Sequence, residues 1–91
     1  MTVKIKVPTQ LRTLTEGATE TVVEGATVAE VIEALEARHP GFRGRLLDDS
    51  GGLRRFVNVY VNEEDVRFQQ GLDTAVPEGS QVAIIPAVAG G

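Results

Sequence analysis

The sequence predicts an α+β domain in which one main helix packs across one face of a mixed sheet of four to five strands. Three patterns carry that reading. Short β-branched runs recur at residues 2–7, 19–24, 56–61 and 82–85, alternating with period two at 2–7 and 56–61 and continuously apolar at 82–85. Between the second and third runs, Val28, Val31, Ile32 and Leu35 repeat at helical spacing. No internal repeat, linker or low-complexity stretch interrupts the 91 residues, a length that suits one compact domain burying about 60–65% of its unfolded surface.

In chain order, Val3, Ile5 and Val7 alternate with Thr2, Lys4 and Lys6, the signature of a half-buried strand, and Pro8 closes it. Residues 9–17 form a looser stretch whose Leu11 and Leu14 cover an edge of the core. Residues 19–24 return as a second strand with Thr21 and Val23 inward, ended by Gly25. Thr27 and Glu30 form a capping box, in which the hydroxyl takes a helix amide and Glu30 reaches back to the Thr27 amide. Arg38 and His39 place positive charge in the last turn, and Pro40-Gly41 stops the helix. Residues 42–47 add a short helical turn that packs Phe42, Leu46 and Leu47 below it. After a turn at residues 48–52, the third strand runs over residues 56–61, with Val57, Val59 and Val61 inward and Phe56, Asn58 and Tyr60 outward. Residues 62–65 turn the chain, residues 66–68 form a short edge strand, and Leu72 and Val76 plug the core before Pro77-Glu78-Gly79 turns into the final strand.

That final strand leads into the part of the sequence that carries chemistry. Pro86 has no amide hydrogen for a sheet, so regular pairing fades there and divides a body of residues 1–86 from a tail of residues 87–91. Ala87, Val88, Ala89, Gly90 and Gly91 carry no charge and end in the smallest side chains. Fully extended, five residues span roughly 16 Å. Two glycines without Cβ thread a narrow channel and leave a terminal carboxylate open to attack. Taken as the end of the chain, the tail offers one reactive group, the α-carboxylate of Gly91.

Composition removes several function classes. Hydrophobic content of 42% and charged content of 24% are ordinary for a soluble globular protein. A net charge of −4 lacks the footprint of a nucleic-acid binder and, taken over the whole chain, suits a partner with a basic docking surface. The absence of cysteine excludes disulfides, thiolate metal sites and a thiol nucleophile. The N-terminal residues do not read as a secretory signal and the longest apolar run is too short to span a bilayer, so no membrane role and a cytoplasmic location are expected. His39 reads as a capping or surface residue. Asp48-Asp49 and Glu63-Glu64-Asp65 lack the spacing of a calcium loop, so no metal site is expected. Nothing resembles a phosphate-binding loop, so the chain itself is expected to be non-catalytic and to bind no cofactor.

With strand–strand–helix–strand–strand order and a Gly-Gly ending, the sequence resembles the ubiquitin-like β-grasp sulfur carriers of the thiamin and molybdopterin type. The resemblance is strongest over Val59-Tyr-Val-Asn62, residues 72–79 and residues 82–91. The stretch from Arg55 to Phe68 and the ending Ile85-Pro-Ala-Val-Ala-Gly-Gly91 are most similar to the actinobacterial branch that supplies sulfide for cysteine synthesis. Ser80 departs from the acidic residue many members carry after the turn glycine, and is expected to tune partner fit. The resemblance implies a ubiquitin-like β-grasp fold and a carrier mechanism. A separate E1-like adenylating and sulfurtransferase enzyme uses ATP to activate the Gly91 carboxylate, and sulfur displaces AMP to leave a thiocarboxylate. The tail, Ala87 to Gly91, is inserted into the partner. The acceptor is a pyridoxal-phosphate-dependent cysteine synthase holding an activated serine, and a metal-dependent hydrolase releases the product. Phe56, Tyr60 and Ile85 are the expected partner surface on the sheet face away from the helix; burial under loops or an edge strand is the competing reading of these three. The same ending leaves open a carrier for thiamin, molybdopterin or a specialised sulfur metabolite, a ubiquitin-like protein modifier joined through Gly91 to lysines, and a non-covalent interaction module.

Overall fold

The computed structural model describes residues 2–86. Five strands form one mixed sheet: β1 (Thr2–Lys6), β2 (Glu20–Glu24), β3 (Val57–Val61), β4 (Glu64–Asp65) and β5 (Gln81–Pro86), in the order β2-β1-β5-β3-β4. The helices are α1 (Val28–Arg38) and α2 (Phe42–Leu46), with short 3₁₀ helices at Thr9–Thr15, Val66–Phe68 and Gly71–Asp73. Only β1 and β5 pair in parallel, with Ile5 opposite Val82; every other neighbouring pair is antiparallel. The first and last strands therefore lie side by side at the centre of the sheet. Among the described residues, no helix is long and apolar enough to cross a membrane.

Alternation along the strands decides which face is buried. Val3, Ile5, Val23, Val57, Val59, Val61, Val82 and Ile84 all turn inward and meet Val28, Val31, Ile32 and Leu35 of α1 in one core. Phe42 and Leu46 of α2 close it from the end, both almost fully buried, and Leu11 of the first 3₁₀ helix seals the edge as expected. α1 can lie this close because residue 25 is glycine: a Cβ there would stand 2.8 Å from the Val31 amide nitrogen.

Several local expectations are corrected. Thr27 caps α1 by accepting from the Glu30 amide at 3.2 Å, but the Glu30 carboxylate takes the Ala26 amide at 2.9 Å, one residue before the expected Thr27 amide. The loose stretch before β2 winds into a 3₁₀ helix, and Phe56 stands in the turn ahead of β3 rather than on the strand. The short edge strand is Glu64–Asp65, and Val66–Phe68, expected as that strand, is a 3₁₀ turn. In a strand Val66 and Phe68 would share a face; with three residues per turn they part, Val66 wholly buried and Phe68 86% exposed. Ser80 is 3% exposed and accepts from the Asn62 side-chain amide at 3.1 Å, so it braces the β3 hairpin from inside instead of facing a partner.

The β3–β4 hairpin closes through two residues, Asn62 and Glu63, both with positive φ (50° and 73°). That pattern belongs to a type I′ turn, which follows the right-handed twist of the strands. Asparagine tolerates it; glutamate does so at a cost of about 1–2 kcal/mol. Glycine removes that cost and gives back about 0.5–1 kcal/mol through its freer unfolded chain. Glu63→Gly is therefore expected to leave stability unchanged or raise it by up to about 1.5 kcal/mol, read by urea unfolding, whereas Glu63→Val should lower it.

Candidate functional site

The strand that carries the tail is held from both sides. β5 is paired on both sides, to β1 through Lys4–Gln81, Ile5–Val82 and Lys6–Ala83, and to β3 through five successive pairs ending at Val57–Pro86. At its start the Gln81 amide donates to Asn62 Oδ1 at 3.0 Å and the Asn62 amide donates to the Gln81 carbonyl at 2.9 Å. Val82 and Ile84 are locked in the core, so the chain reaches Pro86 with no freedom to turn about its axis. The expected tail, Ala87, Val88, Ala89, Gly90 and Gly91, lies outside the described residues, which end at its root, Pro86.

The sheet face away from α1 is open. It presents Lys4 and Lys6 from β1, Val22 from β2, Asn58 and Tyr60 from β3, and Ala83 and Ile85 from β5. Tyr60 lies opposite Ala83, and Ile85 opposite Asn58, so Tyr60 and Ile85 are diagonal neighbours within side-chain reach. Ile85 and Phe56 are each 50% exposed, while Tyr60 is half-buried between Ala83 and Asp65 in the sheet. Phe56 shares a surface hollow with Pro86 at the tail root. The three residues thus border one region but are not equally open.

One organising residue of this region escaped sequence reasoning. Arg67 donates to Asn58 Oδ1 at 2.6 Å and to the carbonyls of Arg54 (2.6 Å) and Arg55 (3.2 Å). A single guanidinium thereby ties the loop before β3 onto the open face beside Ile85, using the donor fork that only arginine provides. Asp65 sets its direction, accepting from the Arg67 amide at 2.8 Å. That Asp65–Arg67 turn was the one signal available in the sequence.

Asp48 and His39 are engaged in local structure. Asp48 Oδ1 accepts from the Ser50 hydroxyl (2.6 Å), the Ser50 amide (2.9 Å) and the Gly52 amide (3.2 Å). These bonds, the Ser50 hydroxyl foremost, hold its pKa below the ordinary 3.8. His39 caps α1, its Nε2 lying 3.3 Å from Thr21 Oγ1 and its ring edge-on to Phe42. Among the described residues, no three His, Asp or Glu side chains gather to hold a metal.

The Arg67 clamp yields a test. Arg67→Ala should release the 54–56 backbone, raising amide exchange there, and should lower global stability by only about 1 kcal/mol, the usual net contribution of such bonds. Exchange in residues 54–56 unchanged from wild type would show that the clamp does not hold the loop.

Comparison with known proteins agrees with this architecture. The family model described as "ThiS family" matches residues 5–91. The chain is 50% identical, over 93 aligned positions covering all of both chains, to the sulfur carrier protein CysO of Mycobacterium tuberculosis. It is 41% identical over 70 residues, 77% of this chain and 75% of the relative, to small archaeal modifier protein 3 of Haloferax volcanii. A chain in the crystal structure of the Amycolatopsis orientalis BexX/CysO complex superposes with a TM-score of 0.92 at 49% identity, covering 98% of this chain and 99% of that one. The fold is therefore the ubiquitin-like β-grasp, and the chain belongs to the ThiS family.

Proposed function

We propose that this chain is a sulfur carrier that performs no catalysis itself. Its Gly91 carboxylate is the working group. A carboxylate is a poor acyl donor because its oxygen leaves badly, so a partner enzyme first joins it to AMP, releasing pyrophosphate from ATP. Sulfide-level sulfur then attacks the acyl carbon, the carbon–oxygen bond to AMP breaks, and a thiocarboxylate remains, a sulfide held on a protein-sized handle. The acceptor is a biosynthetic enzyme, a pyridoxal-phosphate-dependent cysteine synthase on this reading, with a metal-dependent hydrolase to free the product. ATP and pyridoxal phosphate belong to those partners.

The observation that carries the proposal is the placement of β5. The strand is fixed on both sides in the centre of the sheet, and the next residues in the sequence are the uncharged Ala-Val-Ala-Gly-Gly. A rigid body with a small-residue extension is what an enzyme needs in order to draw one carboxylate into a narrow channel. Full-length likeness to a protein named sulfur carrier CysO supports the same reading, and the presence of CysO in a complex with BexX supports docking to a partner protein. Phe56, Tyr60 and Ile85 are the proposed apolar contacts of that docking, with the exposed pair Phe56 and Ile85 at its centre.

A second reading, a protein modifier joined through Gly91 to lysines, rests on the likeness to small archaeal modifier protein 3. Incubation with the activating enzyme, ATP and a sulfur source, followed by intact mass measurement, separates the two. Exchange of one oxygen for sulfur supports the carrier; adducts with other proteins support the modifier. Deleting Gly91, or adding one residue after it, should abolish loading while the thermal melt stays at the wild-type value. Normal loading of either variant would refute the mechanism.

A further inference from the structure

We infer that the root of the tail is a cationic collar that seats against an acidic rim on the enzyme receiving the tail; this rests on the carrier reading and names the chemistry of the partner surface. The collar follows from topology. β5 ends between β1 and the loop before β3, so Lys6, at the end of β1, and Arg54 and Arg55, ahead of β3, flank Pro86 from opposite sides. Two hollows share Pro86: one lined by Lys6, Gln10, Arg12 and Ile85, the other by Arg54, Arg55 and Phe56. Arg12 Nε donates to the Val7 carbonyl at 3.1 Å and Arg54 Nε to the Gly44 carbonyl at 3.0 Å, which fixes both guanidinium groups while leaving their terminal nitrogens for other partners. Arg67 clamps the Arg54 and Arg55 carbonyls, so the second side of the collar is held as well.

Three carboxylates share this region. Glu20 lies opposite Lys6 across β1–β2, Asp48 lines the second hollow with one oxygen committed to Ser50 and Gly52, and Asp49 lines a neighbouring hollow with Arg54. Lys6, Arg12, Arg54 and Arg55 against these three leave the root of the tail with a cationic excess among the described residues. At the opposite end of β5 the balance reverses. Glu24 faces Thr2, Glu63 and Glu64 follow β3, and Glu78 precedes the Gly79 whose amide bonds the Thr2 carbonyl, against Lys4 opposite Gln81 and Arg38 in the hollow beside Glu24. A chain of net charge −4 thus leads with its positive end, the end from which the tail departs.

The occupant follows from reach and from charge. A tail of five residues extends roughly 16 Å at most. With Gly91 at a catalytic centre, the collar therefore meets the mouth of the channel, a protein surface, and not the phosphates at its floor. The tail's side chains carry no charge, and its one charge, the Gly91 carboxylate, is drawn to the catalytic centre rather than to the rim. A positive ring around its root supplies the orientation and speeds productive encounter with an acidic rim. The carrier as a whole, being acidic, is repelled by nucleic acid, which four cations do not overcome. The docking surface expected from net charge was basic; the local charge at the leading end points to an acidic one.

The test uses the full-length chain and its ATP-dependent activating enzyme, with binding measured by calorimetry in the absence of ATP and loading measured by intact mass. Arg55→Glu should weaken binding about tenfold and flatten its dependence on salt. Lys6→Gln, chosen because Glu20 faces that position, should weaken it about threefold. Arg38→Glu, the same charge change at the far end of α1, should bind as wild type. Wild-type affinity in Arg55→Glu and Lys6→Gln, or an equal loss in Arg38→Glu, would overturn the collar. The two readings fail separately: wild-type binding with no gain of sulfur overturns the carrier assignment, and binding indifferent to the charge at the tail root overturns the collar.

Discussion

The parallel pairing of β1 with β5 is the constraint on which the rest of the structure depends. It places the last strand in the middle of the sheet, with β2 beyond β1 on one side and β3 and β4 on the other. A strand at an edge could peel or fray; a strand held by two neighbours and plugged into the core through Val82 and Ile84 cannot move without opening the sheet. The helix α1 must then cover the single apolar face, Gly25 must let it approach, and the long return from β3 to β5 must be braced from within by Ser80 and Asn62. Each of these features serves to fix the point at which Pro86 leaves the body.

Much of this was legible in the sequence, because period-two and helical patterns report burial directly. The strands around Ile5, Val23, Val59 and Ile84, and the inward face of α1 through Val31 and Leu35, follow from spacing alone. The strand order was a different matter, since the partner of Ile5 is Val82 and no local pattern records a pairing so distant. β4 was missed because two acidic residues leave no periodic trace, and Val66 with Phe68 mimicked a strand that the 3₁₀ turn breaks apart. Ser80 was read as surface because serine usually is; its burial reflects a hydrogen bond to Asn62, 18 positions away.

The candidate site divides along the same line. The outward positions of Asn58, Tyr60 and Ile85 were given by parity, whereas the unequal exposure of Phe56, Tyr60 and Ile85 depends on what stands beside each in three dimensions. Arg67 lay beyond reach because its guanidinium spans 9 residues to Asn58 and 13 to Arg54. Net charge is blind to position in the same way. The whole-chain value of −4 does not register that Lys6, Arg54 and Arg55 flank Pro86, which only the strand order brings about.

The strand that roots the tail, paired on both sides and plugged into the core, should not open apart from the whole protein. Native-state hydrogen exchange on the full-length chain tests this most directly. The amides of Val82, Ala83 and Ile84 are predicted to exchange only through global unfolding, with an opening free energy equal to that from urea denaturation. Exchange of these amides at an opening free energy well below the global value would contradict it, because the tail would then hang from a strand that detaches on its own.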